Sequence, residues 1–441
     1  MNISSSLSPF IRETSGNKIF AVVDCDNFFV SCERVFRPDL RNKPVAVMSN
    51  NDGCIVSRSK EVKELGIPMG APVFKYRELI ENNHVQLFSG NFSLYGDMSK
   101  RVMNILKESV ATTHEYSIDE AFLDFTKLAI PDNDYQTFCL NLREKIKRYT
   151  DIPVSIGIAS TKTLAKIGSK LGKKGCGVVD ITRLSPLELD ETLKNYDISD
   201  IWGIGRKLTP KLQTRNIFTA YDFKNYDPQI IKRLISITGE RTWLELNGIS
   251  CIDIHSNTMV RKGIASTRGF GRLVRNLSEL EEAVASYIAT ACEKLRGQGT
   301  IASYISVYIR TAKFKDEGKY VGYKDAKLPY PNSDTKVITK AALELLHAIY
   351  KPGYDYAKAG VFLSGMKPLD SIQENLITQD YYKKNIESRK TMKVLDSLNI
   401  KWGSGTIKLA TAGTKSRWRA KSEKRSRRYT TRWNEILTAK W

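Results

Sequence analysis

The stretch EYSIDEAFLDF, Glu115 to Phe125, alternates like a buried strand yet sets two carboxylates side by side, Asp119 and Glu120. At an effective dielectric constant of about 20, like charges about 4 Å apart repel by roughly 4 kcal/mol. Such a pair is tolerated if one carboxyl stays protonated, if water reaches both, or if a cation lies between them. Neighbouring side chains of a regular strand point to opposite faces. Both acids therefore reach one place only where the chain bends, at a bulge or a hairpin tip.

A second acidic strand tip lies upstream. IFAVVDCD, Ile19 to Asp26, is an apolar run that ends abruptly in Asp24 and Asp26. Asn27 is placed to cap a helix over FFVSCERVF, with Phe29, Cys32 and Phe36 on one side. Strand-tip acids converging from two segments supply what a two-metal site needs, where cations bring a nucleophilic oxygen and a leaving phosphate into line. Taken singly, each acid reads as a solvated strand end. The composition moves the balance toward a shared site.

The net charge of the 441-residue chain is +21, far more than solubility requires, and it points to a nucleic-acid partner. The length allows two to four domains, and 41% hydrophobic with 27% charged residues is ordinary for a soluble globular protein. No run of about 18 uncharged apolar residues is present. MNISSSLSPFIRETSGNK lacks a signal pattern, so a cytoplasmic protein with a flexible polar arm over residues 1–17 is expected. The seven cysteines form no C-x-x-C pair and read as buried free thiols. The four histidines lie far apart, without a local zinc signature. A metal site would therefore use oxygen ligands, which suits magnesium or manganese.

Strand and helix patterns intermix up to about Val179. A helix from about Ser59 to Leu65 stops at Gly66, and TKTLAKIGSKLGKK places Leu164, Ile167 and Leu171 on a core face with its lysines elsewhere. From about Asp180 to Ile252 the strand signal fades, and IWGIGRKLTPKLQTRN resembles a helix–hairpin–helix whose Gly203-Ile204-Gly205 turn lets backbone N–H groups approach a phosphate. Strands return in ASTRGFGRLV, IASYISVYIRTA and AKAGVFLSGM, which suggests a second, smaller α+β domain. After about Pro368 the chain turns polar. Between Lys415 and Trp441 there are 10 Lys or Arg against 2 Glu, interleaved with Trp418, Tyr429, Trp433 and Trp441. That segment reads either as a disordered basic tail or as a binding segment.

Asp24-x-Asp26 after an apolar run also resembles the nucleophile motif of haloacid-dehalogenase-type phosphatases. Those enzymes need a later G-D-x-x-x-D-type motif, and YGDMSKR lacks its second acid. The alternative fails there.

Taken together, VVDCDNFFVSCE, SNNDGCIVSRSKEVKELGI, YSIDEAFLDF, SIGIASTKTLAKIGSKL and IWGIGRKL resemble the Y-family translesion DNA polymerases, most of all the UmuC-type subunit of bacterial DNA polymerase V. The resemblance runs from about Lys18 to the C-terminus and is strongest up to Arg206. It implies an α+β right-hand polymerase. The palm would span 18–36 and 92–180, the fingers 37–91, and the helix–hairpin–helix thumb 181–252. A little finger at 253–368 and a basic partner-binding tail at 369–441 would follow. The implied reaction is error-prone addition of deoxynucleotides to a primer 3′-hydroxyl past damaged bases, by two-metal-ion catalysis, in the SOS response to DNA damage.

The family's metal ligands fall on Asp24, Asp119, Glu120 and the carbonyl of Cys25. Its nucleotide site falls on Asn27, Phe28, Phe29, Ser57, Lys63 and Lys173, with Lys174 able to serve in place of Lys173. Phe29 stands at the steric gate, where an aromatic ring lies under the sugar and clashes with a 2′-hydroxyl. UmuC-like proteins usually carry Tyr there. Many relatives have Tyr and Arg at Lys60 and Lys63; a lysine brings charge without a bidentate fork, and Lys60 reads as a solvated helix lysine. Gly203, Ile204 and Gly205 would hold the DNA backbone without reading sequence. SIQENLI resembles a sliding-clamp-binding peptide through Gln373, Asn375 and Leu376, although Glu374 and the lack of a terminal aromatic pair depart from the usual form. The implied partners are primer–template DNA, deoxynucleoside triphosphates, a UmuD-type subunit, a RecA-type filament and the clamp. A hypothesis of another class, a catalytically silent DNA-binding scaffold, is opposed by the survival of all three acids.

Overall fold

A computed structural model describes residues 18–253, 260–312, 318–369, 371, 379–414 and 416–438. The arm 1–17 and the clamp-peptide residues Gln373, Asn375 and Leu376 lie outside the described residues. Two compact units are formed. One takes the described residues up to 48, from 54 to 253 and from 424 onward; the other takes 49–53 and 260–423.

The first unit opens with β1 (Phe20–Cys25) and α1 (Phe28–Phe36). Next come β2 (Val45–Met48), β3 (Ile55–Arg58), α2 (Lys60–Glu64), α3 (Arg77–Asn82) and β4 (Gln86–Ser89), a small sheet in the order β3-β2-β4 with its own core. The chain then continues through α4 (Phe92–Ser109), β5 (Thr113–Glu115), β6 (Glu120–Asp124), α5 (Tyr135–Thr150), β7 (Val154–Ala159), α6 (Lys162–Gly172) and β8 (Val178–Asp180). These complete a five-stranded sheet, β5-β6-β1-β7-β8, in which β1 lies between two antiparallel neighbours. Both faces of β1 are covered. Ala21, Val23 and Cys25 pack with α1, α4 and α5, while Val22 packs with α6, so the strand reads as a continuous apolar run rather than an alternation.

Five helices follow: α7 (Pro186–Lys194), α8 (Thr209–Gln213), α9 (Ala220–Lys224), α10 (Pro228–Ile235) and α11 (Ile237–Leu246). Ser185 and Thr219 start two of them with capping boxes, and their apolar faces share a core with α6. The second unit holds β9 (Gly263–Val274), α12 (Leu277–Gly297), β10 (Thr300–Thr311), β11 (Val321–Asn332), α13 (Thr335–Ile349), β12 (Tyr356–Ser364), β13 (Lys367–Pro368) and α14 (Gln379–Trp402). Its sheet runs β11-β10-β12-β9, and α12 and α13 share the core beneath it. The α+β class is thus as expected. Among the described residues no helix is long and apolar enough to cross a membrane.

Three local expectations need correction. Asn27 occupies the N-cap position of α1 in a left-handed conformation, but its side chain makes no capping bond. It accepts from Lys63 Nζ instead, at 2.6 Å. The lysines of α6 do not all face solvent: Lys162 is buried, with Nζ over the Phe20 ring and donating to the Ile252 carbonyl. Strand β11 has no counterpart among the strands expected from sequence, because an edge strand carrying Pro329 and Pro331 shows no clean alternation.

Helix α6 lies unusually close to β7. A Cβ added at Gly157 would fall 2.0 Å from the Ser169 nitrogen and 2.1 Å from the Ala165 oxygen, backbone atoms that cannot swing aside. Gly157→Ala is therefore expected to destabilise the protein by about 1–3 kcal/mol or more. Urea denaturation checks this, and a change within about 0.5 kcal/mol would contradict the close approach.

Candidate active site

The β5–β6 hairpin supplies the bend that adjacent carboxylates require. Glu120 begins β6, with Asp24 of β1 directly opposite, and Asp119 occupies the hairpin turn. The Cys25 N–H donates to the Asp119 carbonyl at 2.8 Å, fastening the turn to the end of β1. The Ser117 hydroxyl donates to Asp119 Oδ1, orienting that carboxylate. Asp26 lies on the other side of Cys25 and accepts from the Ser155 hydroxyl through both carboxylate oxygens.

Two lysines from the α6 segment answer this negative charge. Lys173 Nζ is 2.7 Å from Asp24 Oδ1 and 3.9 Å from Asp26 Oδ1. Lys166 Nζ is 3.0 Å from Glu120 Oε1, and both side chains are largely shielded from solvent. Lys166 also stands against the rings of Tyr116 and Trp202, each centroid 4.7 Å from its Nζ. Trp202 Nε1 donates to the Tyr116 hydroxyl at 3.0 Å, which closes the aromatic box. Asp24, Glu120, Lys166, Lys170, Lys173 and Trp202 line a cleft of about 370 Å³.

Burial dominates the titration of the acids. It raises Asp24, and Lys173 offsets part of the rise; it raises Glu120, opposed by Lys166. Asp26 is raised by burial against Lys173 and Ser155. For Lys173 burial acts to lower the pKa, but the surrounding acids, Asp24 first, outweigh it and hold the ammonium charged. Burial pushes the Cys25 thiol well up, so this residue has only its backbone to offer a hard cation.

The donors gathered here are oxygens, the chemistry a hard divalent ion prefers. With the lysines in place, however, no three His, Cys, Asp or Glu side chains among the described residues form a group that could hold a metal ion. Each lysine engages one carboxylate oxygen, Asp24 Oδ1 and Glu120 Oε1.

The remaining expected residues are distributed unevenly. Phe29 is partly exposed and lies flat on Tyr95, centroids 4.6 Å apart and planes within 15°, with Phe92 edge-on. Phe28, expected at the nucleotide, is only 3% exposed and belongs to the core, so its side chain is not presented to the site. The Ser57 hydroxyl donates to the Asn27 carbonyl at 3.3 Å, and Lys63 reaches the Asn27 side chain, so these three form one cluster at the start of α1. Burial lowers the Lys63 pKa, with Lys173 and Arg58 adding repulsion. Lys60 is solvated and paired with Glu64. Gly203 adopts φ +91°, both glycines of the turn are exposed, and Ile204 is buried between them as an anchor. Lys166, Tyr116 and Trp202 are not among the residues that the sequence singles out. The one available signal is a lysine on the helix side that follows SIGIAS.

Residues 23–170 match the impB/mucB/samB family, residues 261–376 its C-terminal domain, residues 188–217 the IMS family HHH motif, and residues 389–439 a domain of unknown function. The chain is 39% identical to Protein UmuC of Salmonella typhimurium over 427 residues, 96% of this chain and 100% of that protein. It is 26% identical to DNA polymerase IV of Bacillus velezensis over 399 residues, covering 89% of this chain and 92% of the relative. A solved Y-family DNA polymerase chimera superposes with a TM-score of 0.63 at 23% identity, covering 79% of this chain and 99% of the chimera, which establishes the fold.

Removing Lys166 leaves Glu120 buried without its counter-charge. Lys166→Met is expected to destabilise by about 1–3 kcal/mol, and adding Glu120→Gln to recover most of that loss. Chemical denaturation of the two single variants and the double variant measures the coupling; additive losses would contradict it.

Proposed function

The chain belongs to the impB/mucB/samB family, and we propose that it is an error-prone translesion DNA polymerase, adding deoxynucleotides to a primer 3′-hydroxyl opposite damaged template bases. The observation that carries this reading is the register of β1 and β6, which sets Asp24 opposite Glu120 beside the turn that holds Asp119. Asp24, Asp119, Glu120 and the Cys25 carbonyl would hold two magnesium or manganese ions. When bound, such ions lower the pKa of the attacking hydroxyl and neutralise charge on the leaving group. In the reaction the primer oxygen bonds to the α-phosphorus as its bond to the bridging oxygen breaks. Pyrophosphate leaves, and the hydroxyl proton passes to solvent.

The chain's own residues bind and orient. Lys173, freed from Asp24, and Lys63, freed from Asn27, bring positive charge to the triphosphate, while Ser57 steadies the Asn27 backbone. The exposed edge of Phe29 lies under the sugar and excludes a 2′-hydroxyl. At the Gly203-Ile204-Gly205 turn, the two glycines would present backbone N–H groups to a DNA phosphate, while Ile204, buried and with its N–H donated to the Ile201 carbonyl, keeps the turn seated. With a formal charge of +21, several phosphates are neutralised at once, so DNA binding weakens steeply as salt rises.

We place this activity in the SOS response, with a UmuD-type subunit and a RecA-type filament docking on the basic C-terminal segment and a clamp on SIQENLI. An aromatic anchor supports the docking: Trp433 is 92% exposed, next to exposed Ile436 and Leu437.

Primer extension with magnesium tests the catalytic claim. Asp119→Ala is expected to lower extension by roughly a hundredfold or more. Equal extension by the native chain and the variant would leave only a DNA-binding scaffold.

A further inference from the structure

The segment expected to be a polar tail belongs, from Lys424 onward, to the first unit and packs beside the helices that carry Phe29 and Tyr95. Ser89, at the end of β4, accepts the Lys424 N–H on its side-chain oxygen at 2.9 Å and donates its own N–H to the Lys424 carbonyl at 3.0 Å. Asn91, the N-cap of α4, donates from Nδ2 to the Ser426 carbonyl, the Ser426 hydroxyl and the Arg427 carbonyl, at 2.9–3.2 Å. Tyr429 stacks on Phe36 at the far end of α1, centroids 4.6 Å apart.

One contact goes deeper. The Ser426 hydroxyl donates to Glu33 Oε1 at 3.0 Å, and the same oxygen accepts from the Tyr95 hydroxyl at 2.6 Å. Glu33 and Tyr95 are both fully buried. Glu33 stands one helical turn after Phe29 on α1, and the face of Tyr95 is the surface on which the Phe29 ring rests. A buried acid is an expensive way to fasten a helix, because an apolar side chain of similar volume would serve as well or better. Here it fixes the hydroxyl end of the ring on which Phe29 stacks.

We propose that residues 424–429 form a strap that sets the attitude of the Phe29 ring, and with it the discrimination between deoxy and ribo sugars, through Ser426, Glu33 and Tyr95. The inference rests on the reading of Phe29 as the surface under the sugar. Ser426, Glu33 and Tyr95 are positioning residues: none needs to touch the nucleotide.

The test uses the full chain bound to a primer–template whose primer is dideoxy-terminated. Affinities are measured for a deoxynucleoside triphosphate and for the matching ribonucleoside triphosphate, so that no turnover is needed. Phe29→Ala is expected to lower the ratio of the two affinities. Ser426→Ala and Tyr95→Phe are each expected to lower it by roughly three- to tenfold, and Ser426→Thr, which keeps the hydroxyl, to restore it. In the Phe29→Ala background, Ser426→Ala is expected to produce no further change. An unaltered ratio in Ser426→Ala and Tyr95→Phe, an equal loss for both sugars, or effects that multiply with Phe29→Ala would each overturn the strap while leaving the sugar reading intact. An unaltered ratio in Phe29→Ala itself would overturn the sugar reading, and the strap with it. Thermal unfolding of each variant separates a displaced ring from a lost fold, and Ser426, which lies at the surface end of the network, supplies the variant least exposed to that loss.

Discussion

The site depends on one crowding of charge. Pairing β1 with β6 in antiparallel register forces Asp24 and Glu120 to face each other at the sheet end, with Asp119 in the adjoining turn. Burial makes each added negative charge harder to hold, as the upward shifts of Asp24 and Glu120 register. The fold resolves the conflict with cations delivered from one direction, the α6 segment, whose Lys166 and Lys173 meet the two acids. On the proposed polymerase reading, a divalent ion, which offers more charge in less space than an ammonium group, would compete with these lysines for the acids.

Delivery of those lysines is a packing matter. At the Gly157–Gly168 contact, a Cβ added to Gly168 would lie only 3.1 Å from the Gly157 Cα, and this closeness lets α6 sit on β7 near enough for its end to reach the acids. The aromatic box extends the arrangement outward. Tyr116 comes from the β5–β6 hairpin and Trp202 immediately precedes the Gly203 turn, so the lysine that balances Glu120 is held by both. The carboxylate cluster at the sheet end and the backbone turn proposed to grip DNA thus share a side chain between them.

Legibility in the sequence follows the range of the interactions. Adjacent acids in YSIDEAFLDF and the acid-tipped run IFAVVDCD are local anomalies, and each demands a physical explanation from the sequence alone. Lys166 is invisible there because a lysine on an amphipathic helix normally faces water, and nothing local says that Glu120 and rings from Tyr116 and Trp202 surround it. Strand β11 is hidden by the polarity and prolines that an edge position permits. The C-terminal strap escapes for the simplest reason: Ser426 meets Glu33 across 393 residues, and no periodicity spans that distance. Glu33 itself leaves a faint trace, an acid one turn from Phe29 on a helix that packs its aromatic side inward. Asn27 does stand at the start of α1, but its bond differs from the expected one, since its side chain finds a lysine before it finds the helix N–H groups.

We propose that the three carboxylates Asp24, Asp119 and Glu120, from two segments, share a divalent ion. Titrating the full chain with manganese, followed by the electron paramagnetic resonance of the free ion in the presence of a deoxynucleoside triphosphate and a dideoxy-terminated primer–template, tests it directly. The native protein is expected to bind manganese beyond what nucleotide and DNA hold alone, and Asp24→Asn to lose that increment. Equal binding by the two proteins would contradict it.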